Sequence, residues 1–187
     1  MSRELFAIAD TCFLIDWARY RRRDVLFQLF RTVFVPEQVL DEVRSENTIA
    51  WIAHWLARGA LALYTPFFDE IEEARRLIEQ SHVHPQLPAM DLPEALCLVV
   101  GRRRGYIVLT ENRAALLAPR LLQGLENVRV WRALEILLEA VKRRILQPNC
   151  SNPRSVFDEY SEDTLHIFPS KALNRAVEEV SSLCRQR

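Results

Sequence analysis

Short apolar runs, each ended by a polar residue or a proline, alternate along this chain with longer segments whose apolar residues recur at helical spacing. Leu5-Phe6-Ala7-Ile8-Ala9 stops at Asp10, Thr32-Val33-Phe34-Val35 stops at Pro36, and Tyr106-Ile107-Val108-Leu109 stops at Thr110. Runs that are apolar on both faces suit strands covered on both sides. Leu61 to Tyr64 and Asn127 to Trp131 read as two more strands. Between them, helices are expected at Thr11 to Tyr20, Asp24 to Phe30, Glu37 to Arg44, Thr48 to Ala57, Asp69 to Gln80, Asp91 to Arg103 and Arg132 to Ile145. Strands separated by helices require crossover connections, so the fold class is α/β: three α/β/α layers around a mainly parallel sheet.

The 187 residues, 49% of them apolar, suffice for a core without disulfide or metal staples. Lys plus Arg total 25 and Asp plus Glu total 25, which excludes attraction to nucleic acid by bulk positive charge. Cys12, Cys97, Cys150 and Cys184 lack CxxC spacing and read as reduced structural thiols of a cytoplasmic protein. The first residues do not read as a signal peptide, and no apolar run is long enough to span a bilayer. The composition changes after Pro148. Residues 1–147 therefore read as the main domain and 148–187 as a C-terminal extension with a helix at Lys171 to Arg185.

In a parallel sheet, functional groups gather at the carboxyl ends of the strands. Asp10-Thr11 and Thr110-Glu111-Asn112 follow two of the expected strands. Glu42 lies on the helix after a third, and Asp91 and Glu94 open another helix, on one face of it. Carboxylates brought into one pocket raise each other's pKa, and a divalent cation resolves the conflict. Hard oxygen donors favour Mg²⁺ or Mn²⁺, which activate water for attack on a phosphodiester. Each acid also has a plainer role: Asp10, Asp91 and Asn112 are good helix caps, and Glu42 has acidic neighbours on an exposed helix.

Four segments in order resemble the motifs of PIN-domain ribonucleases. They are Ile8-Ala9-Asp10-Thr11-Cys12-Phe13-Leu14-Ile15, Val35-Pro36-Glu37-Gln38-Val39-Leu40-Asp41-Glu42-Val43, Glu94-Ala95-Leu96-Cys97-Leu98-Val99-Val100, and Gly105-Tyr106-Ile107-Val108-Leu109-Thr110-Glu111-Asn112. The subgroup most similar is that of the VapC-like toxins. The resemblance implies a Mg²⁺- or Mn²⁺-dependent endoribonuclease with Asp10, Glu42, Glu94 and Glu111 as catalytic acids. Asp91 and Asn112 would complete the metal ligands. It also implies an RNA substrate, an inhibitory antitoxin protein and a homodimer. Asn112 stands where the family usually carries Asp, and Cys12 where it carries Ser or Asn. The alternative is therefore a catalytically weakened PIN fold that binds RNA or protein.

Arginines cluster beside two of these motifs: Arg19, Arg21, Arg22 and Arg23 after the first, and Arg102, Arg103 and Arg104 after the third. Positive charge at a helix C-terminus ordinarily offsets the helix dipole. Bidentate guanidinium geometry also suits phosphate, so the first cluster and the Thr110 hydroxyl are expected to contact nucleic acid. Phospho-acceptor folds also begin with Asp after a first strand, but the DxD pair is missing at Asp10-Thr11-Cys12.

Overall fold

A computed structural model describes residues 5–186. Strands β1 (Phe6–Ala9), β2 (Thr32–Pro36), β3 (Leu61–Tyr64), β4 (Ile107–Leu109) and β5 (Val130–Trp131) form one sheet in the order β3-β2-β1-β4-β5, with every pairing parallel. The intervening helices are α1 (Thr11–Arg19), α2 (Leu26–Leu29), α3 (Glu37–Leu40), α4 (Glu46–Ala57), α5 (Phe68–Val83), α6 (Leu92–Arg104), α7 (Arg113–Leu121), α8 (Ala133–Lys142), α9 (Ser155–Thr164) and α10 (Ser170–Arg185).

Side chains alternate across a strand, and that alternation divides the core in two. Ala7, Ala9, Val33, Val35, Ile107 and Leu109 face a cluster that includes Phe13, Trp17, Trp51, Leu137 and Phe157. Ile8 and Val108 face the other cluster, with Ala74, Leu96, Val99 and Ala115. The α/β/α layering follows directly. Gly101 is required in α6 because a Cβ there would lie 2.4 Å from Val108 Cγ2, so its bare backbone brings the helix onto β4.

Several boundaries differ from the expectations. The helix placed over Glu37 to Arg44 ends at Leu40, because Ser45 must be extended to cap α4 by accepting from the Thr48 N–H at 3.4 Å. The Asp24 to Phe30 segment splits into a 3₁₀ turn, Arg23–Val25, and the short α2. Helix α5, expected over Asp69 to Gln80, runs on to Val83. Trp51 and Trp55 are held together, both indole N–H groups donating to Asp24 Oδ1 at 3.1 Å.

The largest departures lie after Pro148. Cys150 and Cys184 form a disulfide, which corrects the reading of four reduced thiols. Only Cys12 and Cys97 remain free. The helix expected at Lys171 to Arg185 is α10, the unexpected α9 precedes it, and Phe157, Tyr160, Leu173, Ala176 and Val180 join the same buried cluster as β1. Among the described residues no helix is long and apolar enough to cross a membrane.

Candidate active site

Strand β1 lies between β2 and β4, so the chain leaves it in opposite directions; this is the switch point where open α/β sheets bind ligands. Asp10 follows β1 directly and is 2% exposed. Its backbone N–H donates to Leu109 O at 3.1 Å, and its Oδ1 accepts from the Phe13 N–H at 2.8 Å, which makes it the N-cap of α1. Its Oδ2 accepts from the hydroxyl of Thr110, which is fully buried at the end of β4. The cap and the site role are therefore compatible: one oxygen serves each.

Glu42 sits in the turn after α3, exposed, and its Oε2 accepts from the Thr11 hydroxyl at 2.5 Å. Asp91 and Glu94 form a capping box at the start of α6, with Glu94 N–H to Asp91 Oδ1 at 3.0 Å and Asp91 N–H to Glu94 Oε2 at 3.1 Å. The other oxygen of Glu94 accepts from the Asn112 side-chain amide. Asn112 Oδ1 is taken by the Ala114 and Ala115 N–H groups at the start of α7, so its carbonyl serves a helix cap while its NH₂ faces Glu94.

Glu111 points along the sheet toward α8. Its Oε1 accepts from the Ala133 N–H at 2.7 Å, and its Oε2 lies 3.5 Å from His166 Nε2. His166 comes from the segment between α9 and α10, with its ring against Tyr160 and Phe168. Neither His166 nor Thr11 stands out in the sequence. Thr11 was legible only as the neighbour of Asp10, and a lone histidine 55 residues after Glu111 carries no local signal.

The electrostatics tie these groups together. Burial pushes Asp10 up from 3.8 to about 6, against the lowering effect of Thr110 and the Phe13 N–H, and the charges of Asp91 and Glu42 push it further. Burial likewise raises Glu94 to about 7; the Asp91 N–H lowers it, and Asp91, Asp10 and Glu42 raise it. Glu111 rises to about 7 by burial, opposed by the Ala133 N–H and Arg132. Asp10, Glu42, Asp91 and Glu94 therefore form one repelling set of carboxylates. Glu111 joins it more weakly, through Asp10.

An all-carboxylate set is the donor chemistry of a hard divalent cation. Among the described residues, no three His, Cys, Asp or Glu side chains are already arranged to hold one. Thr110, Thr11 and Asn112 occupy oxygens that a cation would share. The fit is thus one of donor type and charge.

The first arginine cluster is largely engaged with other parts of the fold. Arg21 pairs with Asp163 at 2.6 Å and Arg22 with Glu159 at 2.7 Å, both on α9. Arg19 lies 3.8 Å from Asp16, and Arg23 donates to Ala18 O at 2.6 Å. In the second cluster, Arg103 reaches Glu73 at 2.7 Å on α5.

A sequence model of the PIN-domain family matches residues 6–182, from β1 into α10. No curated protein is similar enough to match the chain. The match spans most of the chain, α9 included: the chain belongs to the PIN-domain family, which has a nuclease fold.

Proposed function

We propose that the chain is a Mg²⁺- or Mn²⁺-dependent endoribonuclease that hydrolyses RNA phosphodiester bonds at the carboxyl edge of the sheet. The observation that carries this reading is the pair Asp10 and Glu94, both buried, with Asp10 raising the pKa of Glu94 and with Asp91 and Glu42 raising both. Asp10, Glu42 and Glu94 would hold the cation, with Asp91 and Glu111 as further oxygen donors. When bound, it would lower the pKa of a water nucleophile and neutralise charge on the phosphodiester. The protein's own groups prepare that edge. The Thr110 hydroxyl fixes the Asp10 carboxylate, the Thr11 hydroxyl orients Glu42, and the Asn112 amide with the Asp91 N–H orients Glu94. Without a cation, burial raises Glu94 to about 7, so it is about half protonated at neutral pH.

The narrower reading is the toxin of a toxin-antitoxin pair, acting in the cytoplasm as a homodimer and silenced by a small antitoxin. The four motifs and their likeness to VapC-like toxins support it. A second reading, a catalytically weakened PIN fold, is favoured by Asn112, whose carbonyl is spent on α7. One experiment separates the two. Protein stripped with a chelator is incubated with a mixed RNA pool, then given Mg²⁺ or Mn²⁺. Cleavage that appears only on addition supports the nuclease. RNA binding without cleavage and without measurable Mn²⁺ affinity supports the weakened fold.

A further inference from the structure

A cavity of about 450 Å³ opens at the amino edge of the sheet, away from the acidic edge. Small-ligand sites fall in the same size range. Arg102, Arg104 and Arg129 line it together with Phe6, Tyr106 and Asn127, and no carboxylate is among its described lining residues. Phe6 starts β1 and Asp10 follows its other end, so about 13 Å of strand separates this cavity from the acidic edge.

Arg102 and Arg104 end α6, where a half-unit of negative dipole charge would explain one arginine but not three. They also pair with carboxylates of α5 outside the cavity: Arg102 with Glu73, and Arg104 with the buried Glu70 at 3.4 Å. Arg129 comes from a different segment, just before β5. Its Nη2 donates to Gly105 O at 3.1 Å, which uses one of five guanidinium donors and sets the group beside the end of α6. The aromatic side chains of the wall pack on one another and on the sheet. The Tyr106 ring stacks on Phe34 at 4.8 Å with an interplanar angle of 1°, and Phe6 lies 5.9 Å away.

We infer that this cavity binds a nucleoside phosphate, its phosphate held by Arg102, Arg104 and Arg129 and its base laid on Tyr106 and Phe6. Guanidinium forks match phosphate oxygens, and aromatic faces accept any base. Two sources share that chemistry, a free nucleotide and the phosphorylated end of an RNA. The site stands apart from the nuclease reading.

Calorimetric titration of the full chain with ADP tests it, with chelator present so that the acidic edge contributes no metal–nucleotide contact. ADP is expected to bind more tightly than inorganic pyrophosphate. Arg129→Ala should weaken ADP about tenfold or more, and Tyr106→Leu should narrow its advantage over pyrophosphate. Arg129→Lys, which keeps the charge but not the fork, should fall between, and melting curves check that each variant is folded. No ADP binding at millimolar concentration overturns the inference, as does pyrophosphate binding as tightly as ADP. An unchanged affinity in folded Arg129→Ala also overturns it. A 5′-phosphorylated RNA oligomer that displaces ADP when its 5′-hydroxyl twin does not supports the site with an RNA end as its ligand. Failure of both oligomers to displace bound ADP supports it with the free nucleotide.

Discussion

The Thr110 hydroxyl donates to Asp10 Oδ2 across 100 residues of chain, joining the ends of β1 and β4 at the buried centre of the acidic edge. Thr110 is the group that most lowers the pKa of Asp10, against the burial that raises it. Thr110→Val is therefore expected to leave a buried carboxylate short of a donor and to destabilise the protein by about 1–3 kcal/mol at pH 8. Thr110→Ser should restore most of that. Denaturant unfolding of the three proteins checks it.

The metal-free protein should lose stability as pH rises from about 4 to about 7. Asp10, Glu94 and Glu111 have folded pKa values raised to about 6, 7 and 7, above their ordinary values of 3.8, 4.5 and 4.5. Below the ordinary values, each proton is bound in both states and nothing is lost. Above them the unfolded chain ionises first, which favours unfolding until the folded groups also ionise near pH 7. Asp163 and Asp69, lowered by Arg21 and Arg103, act oppositely and below that window. Thermal melts at pH 5 and 8 with chelator should show the lower midpoint at pH 8.

Much of this geometry was legible in the sequence, for a physical reason. Buried parallel strands leave continuous apolar runs, and the residue that ends each run marks the carboxyl edge, so Asp10 and Thr110 could be placed from spacing alone. Glu94 was readable as the second member of a capping box. The rest depended on distant contacts. In α9, Val156, Phe157, Tyr160 and Thr164 are buried among four acids, and that polar surface hid the helix. Three of those acids, Glu159, Glu162 and Asp163, pair with Arg21 and Arg22, so charges that resembled a nucleic-acid contact also fasten α9 to the end of α1. The Cys150–Cys184 pair, 34 residues apart, has no local signature at all.

Opening that disulfide should cost stability without unfolding the domain. Closing a loop of this length is worth about 3–4 kcal/mol by chain entropy. Leu173, Ala176 and Val180 still anchor α10 in the core after reduction. Cys184→Ser should lower the unfolding free energy by up to that amount, and reductant should affect the wild type but not the variant. Equal melting of oxidised and reduced wild type would contradict this.

Gly101→Ala is expected to destabilise by about 1–3 kcal/mol, because the new methyl meets Val108 Cγ2 in a packed layer. Adding Val108→Ala should recover part of the loss, a coupling that a double-mutant cycle measures directly.

The central claim, that the carboxylates at the end of β1 and the start of α6 form a metal-dependent nuclease site, is tested most directly by RNA cleavage with Mn²⁺ in wild type and Asp10→Asn. Melting curves confirm that both are folded. The account expects wild-type cleavage that chelator abolishes and a loss of about a hundredfold or more in Asp10→Asn, in keeping with removal of a charged ligand. Cleavage by Asp10→Asn at the wild-type rate would contradict it.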